Sequence, residues 1–96
     1  MREGEENCRV HLRIYGRVQG VFFRYETENV ARKMNLVGWV RNNYDGSVET
    51  VAEGPREALE KFIEWCKKGP SRARVDKVDI NWEKPTGEFK TFRIEY

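Results

Sequence analysis

Gly16-Arg17-Val18-Gln19-Gly20-Val21-Phe22-Phe23-Arg24 joins two stretches of different hydrophobic period. Before it, residues 8–15 alternate: Cys8, Val10, Leu12 and Ile14 face one way, and Arg9, His11, Arg13 and Tyr15 the other, as in a half-buried strand. After it, Phe23, Thr27, Val30, Ala31 and Met34 recur at helical spacing up to about Asn35. The stretch is therefore a glycine loop between a strand and a helix N-terminus. Gly16 and Gly20 can serve chain reversal alone. They also let backbone N–H groups converge where the helix dipole favours an anion. Arg24 breaks a local rule, because the first helical turn prefers Asp or Glu. A cation in that place, beside a loop suited to an anion, points to a phosphate held by the loop and Arg24.

Working outward, Leu36–Asn42 reads as a second strand and Asn43-Tyr44-Asp45-Gly46 as a turn, with Asp-Gly a hairpin signal. Ser47–Glu53 is then a third strand, antiparallel to the second. Gly54-Pro55 opens a second helix, with Pro at its first position and Glu57 in its first turn. Leu59, Phe62, Ile63 and Cys66 form its apolar face, and Gly69-Pro70 stops it. Val75–Glu83 is a fourth strand with Val78, Ile80 and Trp82 on one face; after a turn at Lys84-Pro85-Thr86-Gly87, Thr91–Tyr96 is a short fifth. The order β-α-β-β-α-β plus a terminal strand predicts an α+β, ferredoxin-like fold: one mostly antiparallel sheet with both helices on one face. A right-handed crossover makes strands 1 and 2 parallel, so the glycine loop, Arg24 and Asn42 are expected to meet at one edge of the sheet. Residues 1–7 are expected to be a disordered arm before a single domain over 8–96.

Composition excludes several classes. The chain has 96 residues, 35% charged and 39% hydrophobic, with a net charge of +2. No apolar run approaches the roughly 18 residues of a membrane span, and Met1–Asn7 has no apolar leader core, so no membrane association and a cytoplasmic location are expected. The charge balance is too mild to imply nucleic-acid binding. The element order also fits RNA-recognition domains, but the third strand here lacks stacking aromatics and carries Glu49 and Glu53. A P-loop fails on spacing. Cys8 and Cys66 have neither metal-ligand spacing nor a disulfide framework, and His11 is a lone strand histidine. No metal and no cofactor are expected, and no nucleophile–histidine pair is present in the pattern.

Tyr15-Gly16-Arg17-Val18-Gln19-Gly20-Val21-Phe22-Phe23-Arg24 resembles the phosphate-binding signature of the acylphosphatase family. Gly38-Trp39-Val40-Arg41-Asn42, followed by Gly46-Ser47-Val48-Glu49, resembles that family's second motif, and Glu53-Gly54-Pro55 the segment opening its second helix. The resemblance runs from about Cys8 to the end of the chain. It implies that Arg24 holds a phosphate, that Asn42 places the attacking water, and that the backbone of Arg17, Val18, Gln19, Gly20 and Val21 is the phosphate cradle, supported by Gly16 and Asn43. Asn43 stands where the family often has Thr, which is expected to alter support of the site rather than its chemistry. The implied activity is metal-free hydrolysis of a small acyl phosphate to carboxylate and phosphate by a monomeric chain, with inorganic phosphate as product and competitor. An accessory phosphate-sensing role is the alternative. The leaving group of an acyl phosphate is a carboxylate, which departs without a general acid, so the lack of a carboxylate pair or metal cluster fits that chemistry.

Overall fold

The alternation in residues 8–15 builds a strand longer than its pattern: in the computed structural model, which describes residues 6–96, β1 runs Asn7–Arg17. The arm expected over 1–7 thus lies mostly outside the described residues, and Asn7 already belongs to β1. α1 (Phe23–Lys33), β2 (Val37–Asn42), β3 (Val48–Pro55), α2 (Arg56–Lys68), β4 (Arg74–Glu83) and β5 (Phe92–Ile94) follow. The sheet order is β4-β1-β3-β2-β5. β3 is antiparallel to both β1 and β2, β1 is antiparallel to β4, and β5 is parallel to β2. β1 and β2 are therefore parallel, and their C-terminal ends share one edge. Both helices pack on the same face, α2 against β1, β3 and β4, and α1 against β2 and β5.

The core lies between helices and sheet. Val10, Leu12 and Ile14 of β1 are fully buried in one cluster with Leu59, Phe62 and Cys66 of α2, Phe23 and Ala31 of α1, and Phe92 of β5. Phe62 meets Phe92 edge-to-face with ring centroids 6.1 Å apart, which fixes β5 against α2's layer. Both cysteines are free thiols; Cys8 is half-buried, and burial pushes the Cys66 thiol up.

Several boundaries differ from the sequence reading. Pro55 is not the first helical residue: it is extended (φ −62°, ψ 143°), ends β3 and precedes Arg56 as the N-cap. Its fixed φ suits either role, so spacing alone does not separate them. The turn after β2 takes in Ser47 as well as Asn43–Gly46, so β3 starts at Val48 rather than Ser47. Asn42 pairs with Val48, which leaves a wider loop built on Asp45. β5 is shorter than expected, because only Gly38–Val40 of β2 pairs with it.

Among the described residues no helix lies on the sheet's other face. There, Arg9 bridges Glu53 at 3.0 Å and Glu83 at 2.9 Å, His11 contacts Glu49 and Glu83, and Arg41 bridges Glu49 at 2.9 Å. These pairs cover β3, which is buried along nearly its whole length. The connection from β4 to β5 crosses the pole away from Asn42 and is pinned by Glu53. Its carboxylate accepts from the Thr86 amide (2.9 Å), the Gly87 amide (3.1 Å) and the Thr86 hydroxyl (3.2 Å). Burial alone would raise the Glu53 carboxyl; the hydrogen bonds from Thr86, Arg9 and Gly87 outweigh it and hold the group below the usual carboxylate range.

A carboxyl held low in the folded state contributes stability that is complete above its unfolded pKa, about 4.3 for Glu, and is lost as pH falls through the folded value. Glu53→Gln is expected to lower stability at neutral pH by about 1–3 kcal/mol, since charged hydrogen bonds are weakened in a buried place. It should also flatten the loss of stability on acidification below about pH 4.3. Urea melts of both forms between pH 7 and pH 3 check this; parallel stability–pH curves would contradict the role of Glu53.

Candidate active site

The loop after β1 is shaped by backbone first. The β1–β4 register shifts at Tyr15/Gly16, and Gly16 sits at φ 131°. A Cβ there would lie 2.1 Å from the Arg74 carbonyl oxygen, so only glycine allows the bulge that turns the chain out of the sheet. Gly20 (φ 75°) continues the turn. Phe22 then takes a left-handed conformation, φ 62° and ψ 22°, as N-cap of α1, with no side-chain cap. A bulky residue there is an outlier, and such strain clusters at functional sites.

The first backbone bond into α1 runs from the Glu26 amide to the Phe22 carbonyl, 3.0 Å. Among the described residues, no protein group accepts a hydrogen bond from the amides of Val18 to Tyr25. That run of unpaired donors at a helix N-terminus favours an anion.

These amides border a cleft of about 340 Å³. One wall is the loop and helix start, with Val18, Gly20 and Phe22 to Tyr25; the other is the sheet edge, with Asn42, Ile94 and Tyr96. Arg24 is half-buried and stacks over the Tyr96 ring at 5.2 Å. Among the described residues it has no acidic partner, so its fork of donors is uncommitted. Across the cleft, the Asn42 Oδ1 is buried and receives no hydrogen bond from any described residue. Buried amide oxygens are almost always satisfied, so this one is suited to a water or ligand donor.

The loop is locked to the β2–β3 hairpin by Gln19, whose Nε2 donates to the carbonyls of Asn43 (2.7 Å) and Ser47 (2.9 Å). Asn43 Nδ2 donates to Ser47 Oγ at 3.0 Å, and Ser47 donates to Asp45 through its amide (2.9 Å) and hydroxyl (2.6 Å). Those two bonds hold the Asp45 carboxyl below its ordinary range.

The structure therefore brings Arg24, Asn42, Val18 and Gly20 to one cleft. The Arg17 residue ends β1 opposite Arg74, the Val21 side chain is buried in the core, and the Gln19 and Asn43 side chains brace the hairpin, while the backbone amides of Val18 to Val21 stay unpaired among the described residues. Phe22, Tyr25, Ile94 and Tyr96 line the cleft and were not expected from sequence. The positive φ of Phe22 has no local signal, and the placing of Ile94 and Tyr96 depends on a distant pairing with β2.

Comparison with known proteins agrees with this geometry. An acylphosphatase family model matches residues 10–94. The chain belongs to the acylphosphatase family. It is similar to an acylphosphatase of Roseiflexus sp. (strain RS-1), 56% identical over 91% of this chain and 94% of the relative. It is 54% identical to one of Pyrobaculum islandicum, over 93% and 95% of the two chains. The crystal structure of acylphosphatase from Bacillus subtilis superimposes with a TM-score of 0.89 at 38% identity, covering 93% of this chain and 99% of that one. Membership of the acylphosphatase family makes the chain a hydrolase of that type.

Gln19→Leu removes two hydrogen bonds that tie the acylphosphatase glycine loop to the hairpin. The expected cost is about 1–3 kcal/mol, and a small domain loses about 4–8 °C in Tm for each kcal/mol. Binding of phosphate should weaken as well, because the loop amides lose their fixed aim. A melt and a phosphate titration on the variant check both; an unchanged Tm would show that the brace does not matter.

Proposed function

We propose that this chain hydrolyses the carboxyl–phosphate anhydride of acyl phosphates with a water placed by Asn42 and a phosphate held by Arg24 and the loop amides. The observation that carries the reading is the Asn42 Oδ1, buried without a donor among the described residues, on a residue that lines a cleft together with Arg24. A water donating to that oxygen turns a lone pair toward a phosphorus bound by Arg24. The new O–P bond forms as the P–O bond to the acyl carbon breaks, and the electron pair leaves on the carboxylate. An amide is not usefully basic, so the water's proton passes to a phosphate oxygen of the substrate. Arg24 and the unpaired amides stabilise the phosphoryl charge throughout.

Among the described residues no group of three His, Cys, Asp or Glu side chains could hold a metal ion, which supports a metal-free step. No described helix is long and apolar enough to cross a membrane. A cytoplasmic, monomeric enzyme in which inorganic phosphate competes with substrate completes the proposal. A nucleic-acid role is disfavoured because the open sheet face commits Arg9 and Arg41 to Glu53 and Glu49.

Two measurements test the reading. Asn42→Ala should lower kcat by about 10²–10³ while phosphate competition stays near that of the parent, because orienting the nucleophile matters mainly in the transition state. Arg24→Ala should lose both turnover and phosphate binding. A folded and fully active Asn42→Ala would refute the water-placing role. Hydrolysis of benzoyl phosphate should also persist in EDTA and show no essential enzyme base near neutrality in its pH–rate profile; full loss with the chelator, restored by a divalent cation, would overturn the metal-free step.

A further inference from the structure

We infer that Phe22 and Tyr25 form an aromatic subsite for the acyl group, so that this enzyme prefers acyl phosphates with aromatic or extended apolar acyl chains. The inference rests on the reading of the cleft as an acyl phosphate site and adds the substrate class. In-line displacement sets the leaving oxygen opposite the attacking water. Asn42 places that water on the sheet-edge wall, so the acyl group departs toward the loop-and-helix wall. On that wall Phe23 is buried, edge-to-face with Trp65 at 5.6 Å, and takes no part. Arg24 is turned to Tyr96 on the other wall. What remains at the mouth is two rings, Phe22 at 73% and Tyr25 at 55% exposure. Exposed large apolar side chains grouped at a cleft mark recognition rather than packing. Phe22 adds a second argument. Its φ of 62° is one that glycine adopts without strain, yet the chain places a phenyl ring there, out of the core and over the cleft.

The test compares kcat/KM for benzoyl phosphate and acetyl phosphate, taken as a ratio. Phe22→Ala and Tyr25→Ala should each lower the ratio about fivefold, chiefly through KM for benzoyl phosphate, as expected for loss of one aromatic contact used equally in ground and transition states. Phe22→Gly, which suits the left-handed backbone, should lower it as much, showing that the ring and not the strain sets the preference. Tyr25→Ala, in the exposed first turn of α1, keeps the test open if a Phe22 variant fails to fold. A ratio unmoved in all three, with both substrates hydrolysed, would overturn the subsite alone. Failure of the parent protein to hydrolyse either compound would overturn the reading of the cleft on which it stands.

Discussion

Everything at the site depends on β3 being hydrogen-bonded antiparallel to β1 on one side and to β2 on the other. That double pairing makes β1 and β2 parallel neighbours once removed, so the loop after Arg17 and the hairpin after Asn42 emerge side by side. Gln19 can then reach the Asn43 and Ser47 carbonyls, and Arg24 can face Asn42 across a cleft. Because β3 is buried on both faces, its register is held: a slip by one residue would turn Val48, Thr50 and Ala52 away from the helices and bring Glu49 and Glu53 into the core.

The outer face shows how carboxylates are kept in such a strand. Glu49 and Glu53 are buried, and burial opposes their charge. Each is compensated, Glu49 by His11 and Arg41 and Glu53 by Thr86, Arg9 and Gly87, so that both carboxyls remain below their ordinary range. The acids on β3 are thus half of an ion-pair layer that does the work a helix does on the other face.

Much of this was legible in the chain because it is local. The alternation of Val10, Leu12 and Ile14 marks β1, the spacing of Leu59, Phe62, Ile63 and Cys66 marks the buried face of α2, and the element order with the handedness of the crossover brings Arg24 to Asn42. Pro55 was misplaced by one role because its fixed φ is shared by a strand end and a helix start. Phe22 was passed over because a left-handed φ leaves no trace when the residue is not glycine. Ile94 and Tyr96 were missed because they enter the site only through β5, and the pairing of Phe92 with Gly38 joins residues 54 positions apart (92 minus 38). Nothing in the short run after Thr91 says which edge of the sheet it will meet.

The strap from Glu83 to Phe92 bears on folding speed as well as on shape. β1, β3 and β2 are joined by short connections or a single helix, and their pairing closes modest loops. β5 can dock on β2 only after the chain has passed α2 and β4 and crossed from one edge of the sheet to the other, and both edge strands close long separations: 54 residues for Phe92 on Gly38 (92 minus 38), and 57 to 74 for β4 on β1 (74 minus 17 and 83 minus 9). Pairings of long sequence separation slow folding. The sheet-edge wall of the cleft, with Ile94 and the Tyr96 ring over Arg24, therefore rests on a closure that spans more of the chain than the β1–β3 or β2–β3 pairings, and it is tied to the speed of folding as the local hairpin is not.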